Sequence, residues 1–306
     1  MLEHKARYDR AKEFTEVVHA LWDSWEDDAF VGDKLNTRFV DTTKVHPIAH
    51  RGTYYSVAGP LNVPRSPQGR PVTVQAGGSS NGRDFAASHA EAVFTLAQAI
   101  DEGVAYARDL RARAAAYGRP GDSVVILPVL RPSSAAPRRK RSSGRMSFGS
   151  SFRSNTALRG LPVRCRSIRT CSSSTSRCPT RSPSPPTQTT PCSRGTVNLA
   201  RRGNLTVRQL LRALGGGVGH RIIAGTPEQI ADDIETWFAA GAADGFNLMP
   251  DVLPSGLETF VDTVVPILQR RGLFRTDYSG ATLRDHFGLA KPPSRFAKSS
   301  PAAASA

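Results

Sequence analysis

Short apolar runs alternate with amphipathic ones along this chain, and that alternation narrows its fold more than any other feature. Residues 71–76, Pro-Val-Thr-Val-Gln-Ala, carry a buried-strand pattern and run into a glycine-serine turn over 77–82. A helix is predicted over about 83–89 and a second strand over 90–95. The next helix, over about 96–117, places Ile100, Val104, Ala107, Leu110 and Ala114 on one face, and a third strand follows over 123–130. The rhythm returns with a short helix over 205–214. Arg221-Ile222-Ile223-Ala224-Gly225 then leads to Thr226-Pro227, an N-cap followed by proline at the first helical position, and that helix runs to about residue 240. Residues 245–250 form the fourth strand, and 257–270 a last helix. Strands alternating with helices predict an α/β chain of parallel βα units. Four such units are half of a (β/α)8 barrel, so the expectation is a partial TIM barrel, its C-terminal half only, with the first half missing from this chain.

Upstream, residues 5–28 read as one amphipathic helix, with Phe14, Val17, Val18, Leu21, Trp22 and Trp25 recurring at three and four residues. The string Asp23-Ser24-Trp25-Glu26-Asp27-Asp28 closes it, and carboxylates clustered without a histidine read as a solvated helix end rather than a metal site. Residues 30–71 are punctuated by Pro47, Gly52, Gly59, Pro60, Pro64, Pro67, Gly69 and Pro71. They predict a long loop with a short strand at Tyr54-Tyr55-Ser56-Val57. His46 and His50 have the spacing of helical metal ligands but stand in loop sequence beside Pro47, so no metal is expected there.

One stretch breaks the rhythm. Residues 131–202 hold 16 Lys+Arg, 16 Ser and 8 Pro and no Asp or Glu, the flanking acids being Asp122 and Glu228. All four cysteines (Cys165, Cys171, Cys178, Cys192) lie in it, at gaps that match neither a paired zinc motif nor a disulfide framework. The formal charge of +15 suggests a nucleic-acid binder. Outside the stretch, however, 25 basic residues face 26 acids, so the basicity is local and nucleic acid is not the expected partner. The start Met1-Leu2-Glu3-His4-Lys5 is no signal peptide, and no apolar run is long enough to span a bilayer. A soluble, cytoplasmic protein is expected, with a Pro/Ser/Ala-rich disordered tail from Lys291 onward.

The turn Gly77-Gly78-Ser79-Ser80-Asn81-Gly82, set between a strand and a helix, offers backbone N–H groups and serine hydroxyls that suit a phosphate. Around it several motifs recur in one order. They are His4-x3-Tyr8 with Asp9-Arg10-Ala11-Lys12-Glu13-Phe14, then Leu21-Trp22-Asp23-Ser24-Trp25, then the proline-rich run from Gly59 to Pro71, then Gln75-Ala76-Gly77 with Ser79. Gly225-Thr226-Pro227-Glu228-Gln229, the segment from Gly241 to Asn247, and the run from Val265 to Arg275 complete the set. Over about 1–130 and 197–290 the chain resembles the flavin-dependent monooxygenases of the bacterial-luciferase-like group, in particular those similar to nitrilotriacetate monooxygenase component A and dibenzothiophene-sulfone monooxygenase. The resemblance implies a TIM-type barrel using reduced FMN, supplied by a separate flavin reductase, with O2 to oxygenate a small organic substrate. It implies a homo-oligomer in intact members. It assigns flavin contact to His4 and Tyr8 and phosphate contact to Ser79 and the adjacent Ser80.

Two readings of the acid-free stretch follow. It is a basic Ser/Arg/Pro-rich interaction or nucleic-acid-binding insert, or it is read out of frame. Encoded with permitted codons and started two nucleotides later, residues 132–141 yield V-I-G-R-T-E-E-E-A, which resumes the family-like pattern with an acidic helix at a threonine cap. The same shift turns the region of 149–159 into an amphipathic stretch. The expected organisation is therefore a partial barrel over 1–130, an out-of-frame and disordered segment over 131–196, the last βα units over 197–290 and a tail over 291–306. A chain so built is expected to be an inactive fragment of an FMN-dependent enzyme.

Overall fold

The computed structural model describes residues 4–134, 199–201, 203–206, 209–210 and 220–296. Of these, 4–73, 89–91 and 277–296 form one unit, and those within 74–88 and 92–276 form the other.

The second unit is an α/β layer around a five-stranded parallel sheet. Its strands are β5 (Val74–Ala76), β6 (Ala92–Thr95), β7 (Val125–Ser134), β8 (Arg221–Gly225) and β9 (Asn247–Leu248). β5 pairs with β6, and β6 with the first half of β7, from Val125 to Pro128. β8 pairs with the second half, from Leu130 to Ser134, and β9 with Val129 and Leu130. β7 is central because it is apolar on both faces: Ile126 and Leu130 are wholly buried on one and Val129 nearly so on the other. The helices are α2 (Ser80–His89), α3 (Ile100–Ala116), α4 (Pro227–Ala239), α5 (Ser255–Thr263) and α6 (Val265–Arg270). Leu130 of β7, Ile230 and Ile234 of α4, Phe260 of α5, and Ile267 and Leu268 of α6 form its main core. Trp237 packs with Ala97, Ala242 and Ala243 in a second cluster.

Several expectations shift. The composition changes at Arg131, yet β7 continues through Ser134, so the first four residues of the acid-free stretch are strand rather than disorder. Backbone pairing with β8 holds them, whatever their side chains. The rest of the expected disordered segment, 135–196, lies outside the described residues, as do all four cysteines and most of the helix expected over 205–214. Residues 221–225 are a strand in their own right, whereas the fourth strand expected over 245–250 shrinks to two residues. The last helix divides at Val264, because Pro266 lacks the N–H that would continue the ladder.

The first unit opens with α1 (His4–Trp22). Two antiparallel hairpins follow, β1 (Phe30–Asp33) with β2 (Arg38–Val40), and β3 (His50–Arg51) with β4 (Ser56–Val57). α7 (Leu283–His286) lies near its end. α1 stops six residues earlier than periodicity predicts, and the acidic string is solvated only at its end, where Asp27 and Asp28 are exposed. Asp23 and Ser24 are wholly buried and Trp25 nearly so. Ser24 Oγ donates to the Leu21 carbonyl and accepts from the Leu61 N–H, and Trp25 Nε1 donates to the Leu61 carbonyl. These side-chain bonds replace the next helical turn with a tuck under the proline-rich run. Asp23 receives Arg65 and Arg70, and Asp27 receives Arg65 Nη1 at 2.7 Å.

The tail expected from Lys291 onward keeps contacts as far as Phe296. Pro292 accepts from Arg65 Nη2 at 2.6 Å, and Phe296 stacks on His46. Arg284 of α7 pairs end-on with Glu91, at 2.6 and 2.8 Å, and Glu91 also accepts from the Thr73 N–H. Burial alone would raise the Glu91 carboxyl, but Arg284 and Thr73 outweigh it and hold it below its usual range.

Candidate functional site

β5 hands the chain to α2 through a turn of two glycines and two serines. Gly77 and Gly78 contribute backbone only, Ser79 occupies the cap position, and α2 begins at Ser80. Ser79 Oγ accepts from the Gly82 N–H at 3.1 Å, and the Arg83 N–H returns to the Ser79 carbonyl at 2.9 Å. One of the N–H groups that a helix leaves open at its start is thus satisfied by the serine itself. Ser79 is half-buried and Ser80 exposed.

The charge around this helix start is one-sided. No acidic residue occupies the first turn of α2, and Arg83 follows directly after it. The helix dipole already makes this end positive, so a nearby guanidinium is unfavourable there unless an anion answers it. Asp109 answers part of it, pairing with Arg83 Nη1 at 2.6 Å. Arg83 Nε is buried with no hydrogen-bond partner. At the other side of the turn Gln75 Oε1 is likewise buried and unpartnered. A turn with helix N–H groups, serine hydroxyls, an arginine and no carboxylate in its first turn fits a phosphate monoester.

α3 backs the turn. Tyr106, Asp109 and Arg113 recur at three and four residues and so share one face. Tyr106 Oη donates to the Gly77 carbonyl at 3.0 Å, and the Arg83 guanidinium lies 5.8 Å from the Tyr106 ring centre. Arg113 bridges Asp109 and Asp84 of α2 at 3.1 and 2.9 Å. At the far end of α2, Arg119 donates to the Ala87 carbonyl at 2.8 Å. Burial pushes the Tyr106 hydroxyl up to about 12, with Arg83 opposing and Asp109 assisting, so it stays protonated and a donor.

Of the four residues expected to touch flavin, Ser79 and Ser80 are neighbours at this turn, and His4 and Tyr8 stand one turn apart on α1. Tyr8 is half-buried. Sequence reasoning missed Tyr106, Arg83 and Asp109. The only signal in the chain was the helical spacing of Tyr106, Asp109 and Arg113, which does not say what that face meets. The two histidines once weighed as metal ligands face different carboxylates, His46 with Glu26 at 2.8 Å and His50 with Glu13 at 3.1 Å. Among the described residues no cluster of His, Cys, Asp or Glu suited to a metal is gathered, and no helix is long and apolar enough to cross a membrane.

Comparison with known proteins places the chain in a family. The family model described as luciferase-like monooxygenase matches residues 2–244, passing through the acid-free stretch. Nitrilotriacetate monooxygenase component A of Aminobacter aminovorans is 44% identical over 314 residues, covering 98% of this chain and 66% of that protein. N-acetyl-S-(2-succino)cysteine monooxygenase of Bacillus subtilis (strain 168) is 41% identical over 303 residues, covering 97% of this chain and 68% of that protein. A riboflavin lyase solved with modified FMN and riboflavin superposes with a TM-score of 0.69 at 31% identity, covering 96% of this chain and 64% of that one. The chain thus spans about two thirds of the length of the proteins it matches. With a family model matched over most of its length, this chain belongs to the luciferase-like monooxygenases.

Proposed function

We propose that this chain is an FMN-dependent monooxygenase of the two-component kind. A separate flavin reductase supplies reduced FMN, and O2 supplies the atom inserted into a small organic substrate. The observation that carries the reading is the serine-capped turn at the start of α2, with no acid in its first turn and Arg83 behind it, in a chain of this family. Likeness to a protein named component A supports a reductase partner, and likeness to a lyase solved with modified FMN supports the flavin.

In this reading Ser79 and Ser80 hold the phosphate, and His4 and Tyr8 contact the flavin. The bound flavin supplies the O2 chemistry; the chain holds the ring and phosphate in place and keeps water out. Intact enzymes of this kind are read as homo-oligomers, and the cytoplasm as the compartment. Titration of the purified chain with oxidised and reduced FMN, followed by reductase-coupled O2 uptake across a panel of organic substrates, tests it. FMN binding with little or no substrate-dependent uptake is the expected result for the fragment, and micromolar binding with full uptake would overturn its reading as inactive. FMN affinity unmoved by S79A/S80A would remove the assigned phosphate site.

We further infer that residues 132–196 are read two nucleotides out of frame. Support comes from the coherent acidic helix in the shifted frame and from the absence of any acid between Asp122 and Glu228. The coding DNA decides it. If the shifted codons match the pattern, restoring the frame is expected to raise substrate-dependent O2 uptake; codons that cannot yield that helix end the idea.

A further inference from the structure

The geometry points to Tyr106 as the positioning residue of the phosphate-binding turn: its hydroxyl, through the Gly77 carbonyl, sets the backbone that presents the Ser79 and Ser80 donors. The inference rests on the reading of that turn as the FMN phosphate site.

Gly77 and Gly78 are adjacent and carry no side chain to anchor them, and two consecutive glycines sample the widest range of backbone conformations. Left alone, such a turn would lose conformational freedom when an anion binds, and affinity would fall accordingly. Ser79 does not supply the anchor, since its hydroxyl caps its own helix at Gly82. Arg83, Asp84, Asp109 and Arg113 fix the body of α2 to α3 through ion pairs. Those pairs begin one turn inside the helix. At the glycines themselves Tyr106 Oη reaches in from α3 and donates to Gly77 O, spanning 29 residues of sequence.

The hydroxyl is well placed for the task. It comes from the middle of a 17-residue helix, so its own position is fixed by α3. It donates, leaving the N–H groups of the turn uncommitted by this contact. Because it stays protonated through the neutral range, the anchor does not switch with pH.

The test compares FMN with riboflavin, which has the same ring and ribityl chain but no phosphate. Dissociation constants for both are read by flavin fluorescence in the wild-type chain, in Y106F, in S79A/S80A and in D109N. Phe keeps the ring and its packing and removes only the hydroxyl. The wild type is expected to prefer FMN. Y106F is expected to lose about tenfold in FMN affinity, the scale of one hydrogen bond, with riboflavin unchanged. D109N loosens the α2–α3 ion pairs but keeps the Gly77 bond, and is expected to retain the preference. If Y106F keeps the wild-type FMN preference while S79A/S80A loses it, the phosphate site stands and the role of Tyr106 is refuted. Equal losses for both ligands in Y106F would make Tyr106 a packing residue and also refute it. If the wild type does not prefer FMN, or S79A/S80A retains the preference, the phosphate reading itself fails and the inference falls with it.

Discussion

Asp23 sits without exposed surface between two guanidinium groups, Arg65 Nε at 3.0 Å from one oxygen and Arg70 Nε at 3.0 Å from the other. Removing one member of such a buried set leaves its partners charged and unanswered, which costs about 3–5 kcal/mol. D23A is therefore expected to lower the urea midpoint of unfolding sharply. R271A breaks the exposed, solvent-screened pairs with Asp232 and Glu235 and should leave that midpoint nearly where it was. His19 carries a different liability. Its Nε2 is buried without a partner. Burial first, then Arg70 and His89, push the ring down to about 4 against the opposing pull of Glu91 and Asp23. The unfolded chain takes up this proton near its ordinary value of 6.5 while the native state resists until about 4. Stability therefore falls as pH drops from about 6.5 towards 4, and H19Q is expected to flatten that part of a pH series of denaturation midpoints. None of this was legible in the sequence. Asp23 looks as solvated as Asp27 and Asp28 until the arginines that answer it, some forty residues on, are seen beside it.

At the scale of elements, legibility followed locality. Thr226, Pro227 and Gln229 announce the start of α4 within four residues, and a full capping box is there: Thr226 accepts from the Gln229 N–H, and Gln229 from the Thr226 N–H. T226A is expected to cost about 1 kcal/mol, read as a lowered thermal midpoint. The Gly77–Ser80 turn was legible for the same reason, since turn and cap chemistry are written in adjacent residues. The end of α1 was not, because Ser24 and Trp25 leave the helix to bond with Leu61. Nor was the anchoring of the turn by Tyr106, because helical spacing shows which residues share a face and is silent on what that face meets. The division at Val264 could have been read from Pro266, whose missing N–H was outweighed in the pattern by a continuous apolar stripe.

Taken whole, the molecule carries its excess charge in one place. With residues 131–202 set aside it is nearly neutral, so the formal +15 does not describe a basic surface built by the fold. The chain is expected to bind any polyanion, with an affinity that drops steeply between low and physiological salt and no preference between duplexes of different sequence. A titration of two unrelated duplexes at two salt concentrations checks this, and a clear preference for either would restore the basic stretch as a recognition element.

The pairing of Glu91 with Arg284 has a consequence in time as well as in space. The two residues are 193 positions apart, and Pro292, which receives Arg65, lies farther still. During synthesis the ribosome releases every residue of the second unit before it releases α7. The unit that holds α1 is thus completed only after the second unit has emerged. Until its final segment emerges, α1 and the proline-rich run wait with Glu91 lacking its arginine, within reach of chaperones and proteases. A nascent chain stalled before Asp277 should be cleaved within its first 73 residues by a protease that spares them in the released protein.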